Sequence, residues 1–581
     1  MTTATIIEQS LPQKKERHFL AQSFTCTNWD AIAPYAKNLL ERPINSVKDL
    51  EQFLHDKSEF NVAISEYFKW LFIKTSCDTT NELYQKEYAV ATKDIKPKLN
   101  VLSQKIDQKI LNSAYLPALD DKYYFVYLRS LKNNIALYNE ANVALGVEVS
   151  LKAKKYNVII GSLTVEVDGK ELTLLQAEKF LKSTDRTLRK RVFKIVNDKL
   201  LAHRECLHEL LSELIDMRHQ IALNAGFDNY RDYKFAALGR FDYTPEDCFD
   251  FHEAIASEIV PVAKKMKQDK KEKLGFENYK PWDKDAPILG KKTLKPFTNT
   301  TEMVEKTIEC LRLVKPEFAT YLRIMDEMGH LDLSSRKGKA PGGYNCTLHE
   351  VGVPFIFMNA VGSLRDLTTM VHESGHAVHS FLSRDLDLMF FKSTPSEVSE
   401  LASMSMELLS MEHWSVFFDN EDDLRRAKIE QLEKVISGFS WIATIDSFQH
   451  WLYTNPKHTV KERNKAWLDV SEKFTMSVAD WTGLEEYKVA PWQRQLHIYQ
   501  VPFYYIEYAM AQLGAIAVWR AYKKNPTQAL LNYTNALKLG NTKTITEVYE
   551  TAGIKFDFSK AYVCDLMHFV VEELNALKEK I

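Results

Sequence analysis

The sequence predicts a mainly α-helical protein with little sheet, and three observations carry that reading. Charged and apolar residues alternate at helical spacing, with few prolines, over residues 101–141, 177–223, 424–448 and 503–522. Strand-like pieces are few, namely 158–167 and 352–358. The chain is also long and balanced: 581 residues, 45% hydrophobic and 27% charged, suit a globular protein with a large core and more than one domain. It holds no internal repeat and no low-complexity segment.

Taken in order, residues 1–24 mix polar, acidic and basic side chains and lack the apolar stretch of a signal peptide. No run approaches the roughly 20 apolar residues of a membrane span. Residues 158–167, followed by Asp168-Gly169, read as a hairpin. A break at Thr184-Asp185 separates an N-terminal helical region, 1–190, from the remainder, 191–581. The basic run 264–273 reads as a solvated helix face or loop, and 278–300 as a long turn-rich connection. Residues 339–346 form a second turn-rich loop. The segment 353–359 then reads as a short strand at a sheet edge, because Pro354 stands at its start. Such an edge could bind an extended peptide by strand addition.

The net charge of −2 gives no electrostatic case for nucleic acid or a membrane surface. Seven scattered cysteines, Cys26, Cys77, Cys206, Cys248, Cys310, Cys346 and Cys564, show no metal or redox spacing. Thiols in a reducing cytoplasm are the expectation.

The chemistry concentrates at Val371-His372-Glu373-Ser374-Gly375-His376-Ala377. Ser363 and Asp366 have capping-box spacing, and apolar residues recur at Leu364, Leu367, Val371, Val378 and Phe381 or Leu382, so this segment is a helix. On a helix, His372 and His376 share a face and reach one metal ion from one side. Glu373 stands where it can hold and deprotonate a metal-bound water. Gly375 is costly inside a helix, about 1 kcal/mol against alanine, and makes sense where something must approach the helix backbone closely. A hydrolytic zinc site needs a third protein ligand and an open position. The glycine and histidine that some zincins place next are replaced here by His379 and Leu382. A following helix, opened by Pro395, offers Glu397, Glu400 and Glu407, and spacing alone does not choose among them. His379 is expected outside the ligand set, either behind it or solvated. His203, His208 and His219 lack an acidic partner in metal-binding spacing and read as surface or packing residues.

A third block, Pro502-Phe503-Tyr504-Tyr505-Ile506-Glu507-Tyr508-Ala509, follows His497. Pro502 fits the first position of a helix, on which Tyr505 and Tyr508 share a face. Tyrosine hydroxyls and a histidine ring can stabilise the oxyanion of peptide hydrolysis.

With these three blocks in this order, the chain resembles the thimet oligopeptidase family of zinc peptidases, and its oligoendopeptidase F branch in particular. The likeness covers about residues 200 to 581. It implies that His372, His376 and Glu400 bind one zinc ion per chain, that Glu373 is the general base, and that Glu407 lies behind the ligands. His497, Tyr505 and Tyr508 are the candidate oxyanion donors, and the resemblance favours His497 and Tyr508 among them. It also implies two helical lobes around a deep substrate channel, with the small sheet near the zinc site. The expected activity is hydrolysis of internal bonds in short peptides by a zinc-bound water. A metallocarboxypeptidase or dipeptidyl carboxypeptidase, and a non-catalytic helical peptide-binding protein, are the alternatives.

Overall fold

The computed structural model of the chain describes residues 11–287, 293–475 and 477–579. The first ten residues of the polar N-terminal stretch, residues 288–292 of the expected turn-rich connection, Met476 and residues 580–581 lie outside the described residues. Helices dominate, and the described strands form one two-stranded and one three-stranded sheet.

The chain forms two compact units, each built from three separated stretches. The first comprises Met1–Ile135, Leu294–Lys428 and Ala511–Phe556. The second comprises Ala136–Thr293, Ile429–Met510 and Asp557–Ile581. These units do not follow the linear division at residue 190, because segments distant in sequence bury their apolar faces together. Thr184-Asp185 is nevertheless a local boundary: Asp185 caps the helix Arg186–Leu201, accepting from the backbone N–H groups of Thr187 and Leu188.

In the second unit, β1 (Thr164–Val167) pairs with β2 (Lys170–Thr173), antiparallel, across Asp168 and Gly169. Both turn residues have positive φ, 53° and 74°, as a two-residue hairpin turn requires. The strand is shorter than expected. Residues 158–161 close the helix Ala141–Gly161 instead, since a brief β-branched run does not separate strand from helix by periodicity.

In the first unit, β3 (Leu331–Ser334), β4 (Tyr344–Cys346) and β5 (Phe355–Ala360) form a sheet in the order β3-β5-β4. The expected edge strand is therefore the central one, parallel to β3 and antiparallel to β4. Pro354 lies just before β5, so the ladder loses no donor to it. The edges are β3 and β4, and β4 is formed by the last three residues of the expected loop 339–346. The C-terminal block is also corrected. The helix starts at Tyr505 and runs to Lys524, while Pro502 sits in the preceding turn. That turn holds Phe503 at a φ of 66°, with its N–H donated to Gln449 Oε1 at 2.9 Å.

Candidate metal centre

Two helices of the first unit build the centre. The first, Leu364–Ser383, is started by the expected capping box: Ser363 Oγ accepts from the Asp366 N–H, and Asp366 Oδ2 accepts from the Ser363 N–H at 2.9 Å. It buries Leu367, Met370, Val371, Ala377, Val378 and Phe381 and leaves His372 and His376 partly open. The second, Ser396–Met411, follows Pro395 and is buried along most of its length. Gly375 lets the two come together. A methyl group there would stand 2.6 Å from Ser403 Cα, 2.8 Å from the Ala402 carbonyl oxygen and 2.9 Å from Met406 Cβ. Two tyrosines brace the second helix through its backbone: Tyr533 donates to the Ala402 carbonyl at 2.7 Å and Tyr549 to that of Glu397 at 3.1 Å.

This approach brings His372, His376 and Glu400 together, with one ligand atom of each within 4.8 Å of the others. Glu400 Oε2 lies 3.4 Å from His372 Nε2 and 3.8 Å from His376 Nε2, and accepts from Ser403 Oγ at 3.0 Å. Glu407 Oε1 pairs with His372 Nδ1 at 2.8 Å, which leaves Nε2 for an ion. Glu397 is buried one turn earlier and is not part of the set.

Charge follows the geometry. Burial opposes a charged His372 ring, but Glu400 and Glu407 outweigh it and hold its pKa well above the ordinary value. Burial takes His376 down to about 4, so that ring is neutral. Burial also lifts the Glu373 carboxyl to about 7. Its Oε2 is buried without a hydrogen-bond partner, while the Glu373 backbone carbonyl accepts from Asn345 Nδ2 on β4 at 3.1 Å. Two imidazoles, a carboxylate and an orphaned acidic oxygen beside them suit a divalent transition ion with a water next to it. His379 is buried, not solvated, and its Nε2 has no hydrogen-bond partner.

His497, Tyr504, Tyr505 and Tyr508 form a separate aromatic group in the second unit. The His497 ring lies 4.6 Å from that of Tyr505 and 6.3 Å from that of Tyr508, and Tyr505 and Tyr508 are 5.6 Å apart. Burial takes His497 down to about 4. Its tautomer follows from two neighbours. Trp441 Nε1, which can only donate, bonds Gln495 Oε1 at 3.0 Å. The amide nitrogen of Gln495 therefore faces His497 Nδ1, at 2.6 Å, and donates to it. His497 then carries its proton on Nε2 and is a neutral donor there. Two buried arginines hold the same segment. Arg218 donates to the Ile498 and Tyr499 carbonyls and to the Tyr453 hydroxyl, and Arg240 to the Phe503 carbonyl and to Glu507.

Sequence reasoning missed Asn345, Ser403, Trp441, Gln495, Arg218 and Arg240. Asn345 and Ser403 lay within segments it had already singled out. Trp441, Arg218 and Arg240 carry no spacing signal, since their partners are distant in sequence, and Gln495, two residues from His497, belongs to no motif that would mark it.

Residues 179–567 match the pattern of peptidase family M3, and residues 19–138 that of the peptidase M3 N-terminal domain. Oligopeptidase PepF of Bacillus subtilis (strain 168) is 23% identical over 550 residues, covering 89% of this chain and 79% of its own. An oligoendopeptidase F homolog of Borreliella burgdorferi is 23% identical over 520 residues, 84% of each chain. Among solved structures, PZ peptidase A with an inhibitor superposes with a TM-score of 0.88 at 26% identity, covering 95% of this chain and 98% of that one.

Proposed function

The chain belongs to peptidase family M3, and on that premise we propose that it is a zinc oligopeptidase that cuts internal bonds of short peptides. Its being a metalloendopeptidase follows from the family and from relatives named as oligopeptidases and oligoendopeptidases. The observation that carries the finer reading is the His372, His376 and Glu400 set beside the buried, unpaired Glu373 Oε2.

His372 Nε2, His376 Nε2 and a Glu400 oxygen would hold one zinc ion per chain. When bound, zinc polarises a scissile carbonyl and makes a neighbouring water acidic. Glu373 Oε2 takes the proton of that water and returns it to the leaving amine. Glu407 keeps the His372 ring turned by holding Nδ1. His497 Nε2–H and the hydroxyls of Tyr505 and Tyr508 are neutral donors of the kind that stabilises a developing oxyanion. The β4 edge, tied through Asn345 to the Glu373 carbonyl, is suited to pair with an extended peptide backbone. The seven thiols favour a cytoplasmic setting. No described helix is long and apolar enough to cross a membrane.

The test is digestion of a mixed peptide library, including end-blocked peptides, with products read by mass spectrometry. Internal cleavage that stops with a chelator is expected. Glu373→Gln should keep its metal and lose about a hundredfold or more in kcat, the usual worth of a general base. Release of C-terminal residues or dipeptides alone, or activity indifferent to a chelator, would refute the reading.

A further inference from the structure

A second cluster of ligand-type side chains lies within the second compact unit. Cys248 and His252 stand one turn apart on the helix Pro245–Ala254. Asp446 and His450 stand one turn apart on the long helix Glu421–Thr454. Each pair shares a helix face. All four residues are buried, Cys248 and Asp446 at 0% exposure, His252 at 3% and His450 at 4%. One ligand atom each of Cys248, Asp446 and His450 lies within 4.8 Å of the others, the same closeness found for His372, His376 and Glu400.

The polar groups of this cluster are incompletely satisfied. Asp446 Oδ2 is 2.9 Å from His252 Nε2 and 3.2 Å from His450 Nε2. Asp446 Oδ1 and His450 Nδ1 have no hydrogen-bond partner, and His450 Nε2 has only its contact with Asp446 Oδ2. Phe235, Phe249 and Phe503 pack on the His450 ring at 4.8 to 5.7 Å, and Phe474 on that of His252 at 6.0 Å, so apolar side chains replace solvent around the two imidazoles. A histidine–aspartate pair kept only for packing needs no thiol beside it and leaves no carboxylate oxygen bare. His252 is itself held, with its Nδ1 bonded to Ser447 Oγ at 3.0 Å. It orients the aspartate as the outer partner of a metal ligand does.

We propose that Cys248, Asp446 and His450 form a second metal site, for a divalent transition ion of the zinc class, with His252 positioning the aspartate. The mixed sulfur, nitrogen and oxygen set favours such an ion over magnesium or calcium, which prefer oxygen. Binding replaces the S–H bond of Cys248 with a thiolate–metal bond and releases that proton to solvent. The ion would cross-link the two helices. It would also lie beneath the turn that leads into the tyrosine helix, since Gln449 next door accepts from the Phe503 N–H and His450 packs on the Phe503 ring. This site is independent of the proposed peptidase chemistry.

The full chain, stripped with a chelator and kept reduced, is titrated with Co2+, and its spectrum and metal content are read together. The set His372, His376 and Glu400 contains no sulfur, so a thiolate-to-cobalt charge-transfer band in the near ultraviolet would report only a cysteine site. Two equivalents per chain with that band are expected. Cys248→Ser and Asp446→Asn should each lose the band and one equivalent, while His376→Ala should keep both the band and one equivalent. A single equivalent without the band in the unaltered protein, or a band that survives in Cys248→Ser, overturns the proposal. Should Cys248→Ser fail to fold, His376→Ala decides alone: one equivalent with the band supports the site, and no band overturns it.

Discussion

Replacing Gly375 with alanine adds one methyl group at the contact between the two metal helices. Elsewhere in a helix that change stabilises by about 1 kcal/mol. Here the methyl would meet Ser403 Cα at 2.6 Å, about 0.8 Å inside ordinary contact, with the Ala402 carbonyl at 2.8 Å. Both are backbone atoms and cannot rotate aside. The second helix must move, and Glu400, one turn from Ser403, moves with it. Overpacking of this kind costs about 1–3 kcal/mol. A backbone clash belongs at the upper end, so a net loss of about 2 kcal/mol is expected after the gain in propensity. Metal sites tolerate about 0.2 Å in ligand distance, well below the required shift. Zinc affinity should therefore fall about 10- to 100-fold or more, the scale seen when the support of a ligand is disturbed. Competition against a chromogenic chelator measures the affinity, and thermal melting in excess chelator measures the fold without metal. A Gly375→Ala protein that binds zinc as tightly as the parent, or melts higher without metal, would refute the reasoning.

Three further outcomes are expected. Glu400→Gln should lose zinc while Glu397→Gln keeps it, and the opposite pattern in elemental analysis would put the third ligand one turn earlier. Tyr508→Phe should lower kcat on the order of a hundredfold with little change in KM, if its hydroxyl donates only to the oxyanion. Unchanged kcat on a quenched fluorescent peptide would return this tyrosine to packing and make Tyr505 the next candidate. Gln495→Leu should lower kcat about fivefold, the worth of one neutral hydrogen bond of about 1 kcal/mol, because His497 then loses the contact that fixes its proton on Nε2. A nitrogen-sensitive NMR spectrum in which His497 keeps that tautomer in the variant would contradict the relay from Trp441.

What was legible in the sequence was local. The helix Leu364–Ser383 announced itself through its cap, its period and its paired histidines, all within one element. Gly375 signalled a close neighbour but not which one. Choosing Glu400 over Glu397 and Glu407 required the family resemblance; the fold sets Glu400 Oε2 3.4 Å from His372 Nε2 and 3.8 Å from His376 Nε2. Sheet order was not legible. Pro354 pointed to an edge because a proline cannot donate, yet it stands just outside the ladder and costs it nothing. Three residues, Tyr344–Cys346, are too few to show a period, so one of the two true edges read as loop. The left-handed Phe503 turn displaced the expected helix start, and its reason is a bond to Gln449 on another helix. The His252–Asp446 contact joins positions 194 residues apart, beyond any reading of local spacing.

The tyrosine braces on the second metal helix bear on how the protein matures during synthesis. All three proposed ligands have been made once Glu400 is added. The hydroxyls that pin this helix arrive 131 residues after Ala402 and 152 residues after Glu397. At common elongation rates that is a delay on the order of ten seconds. The stretch Ala511–Phe556, which completes the first compact unit, also comes late. A nascent chain therefore carries the donor set well before it carries the scaffold that holds the set in register. Hydrolytic competence is deferred until the stretch that carries Tyr533 and Tyr549 has been made, and a chain cut short before Tyr533 leaves its ligands unbraced.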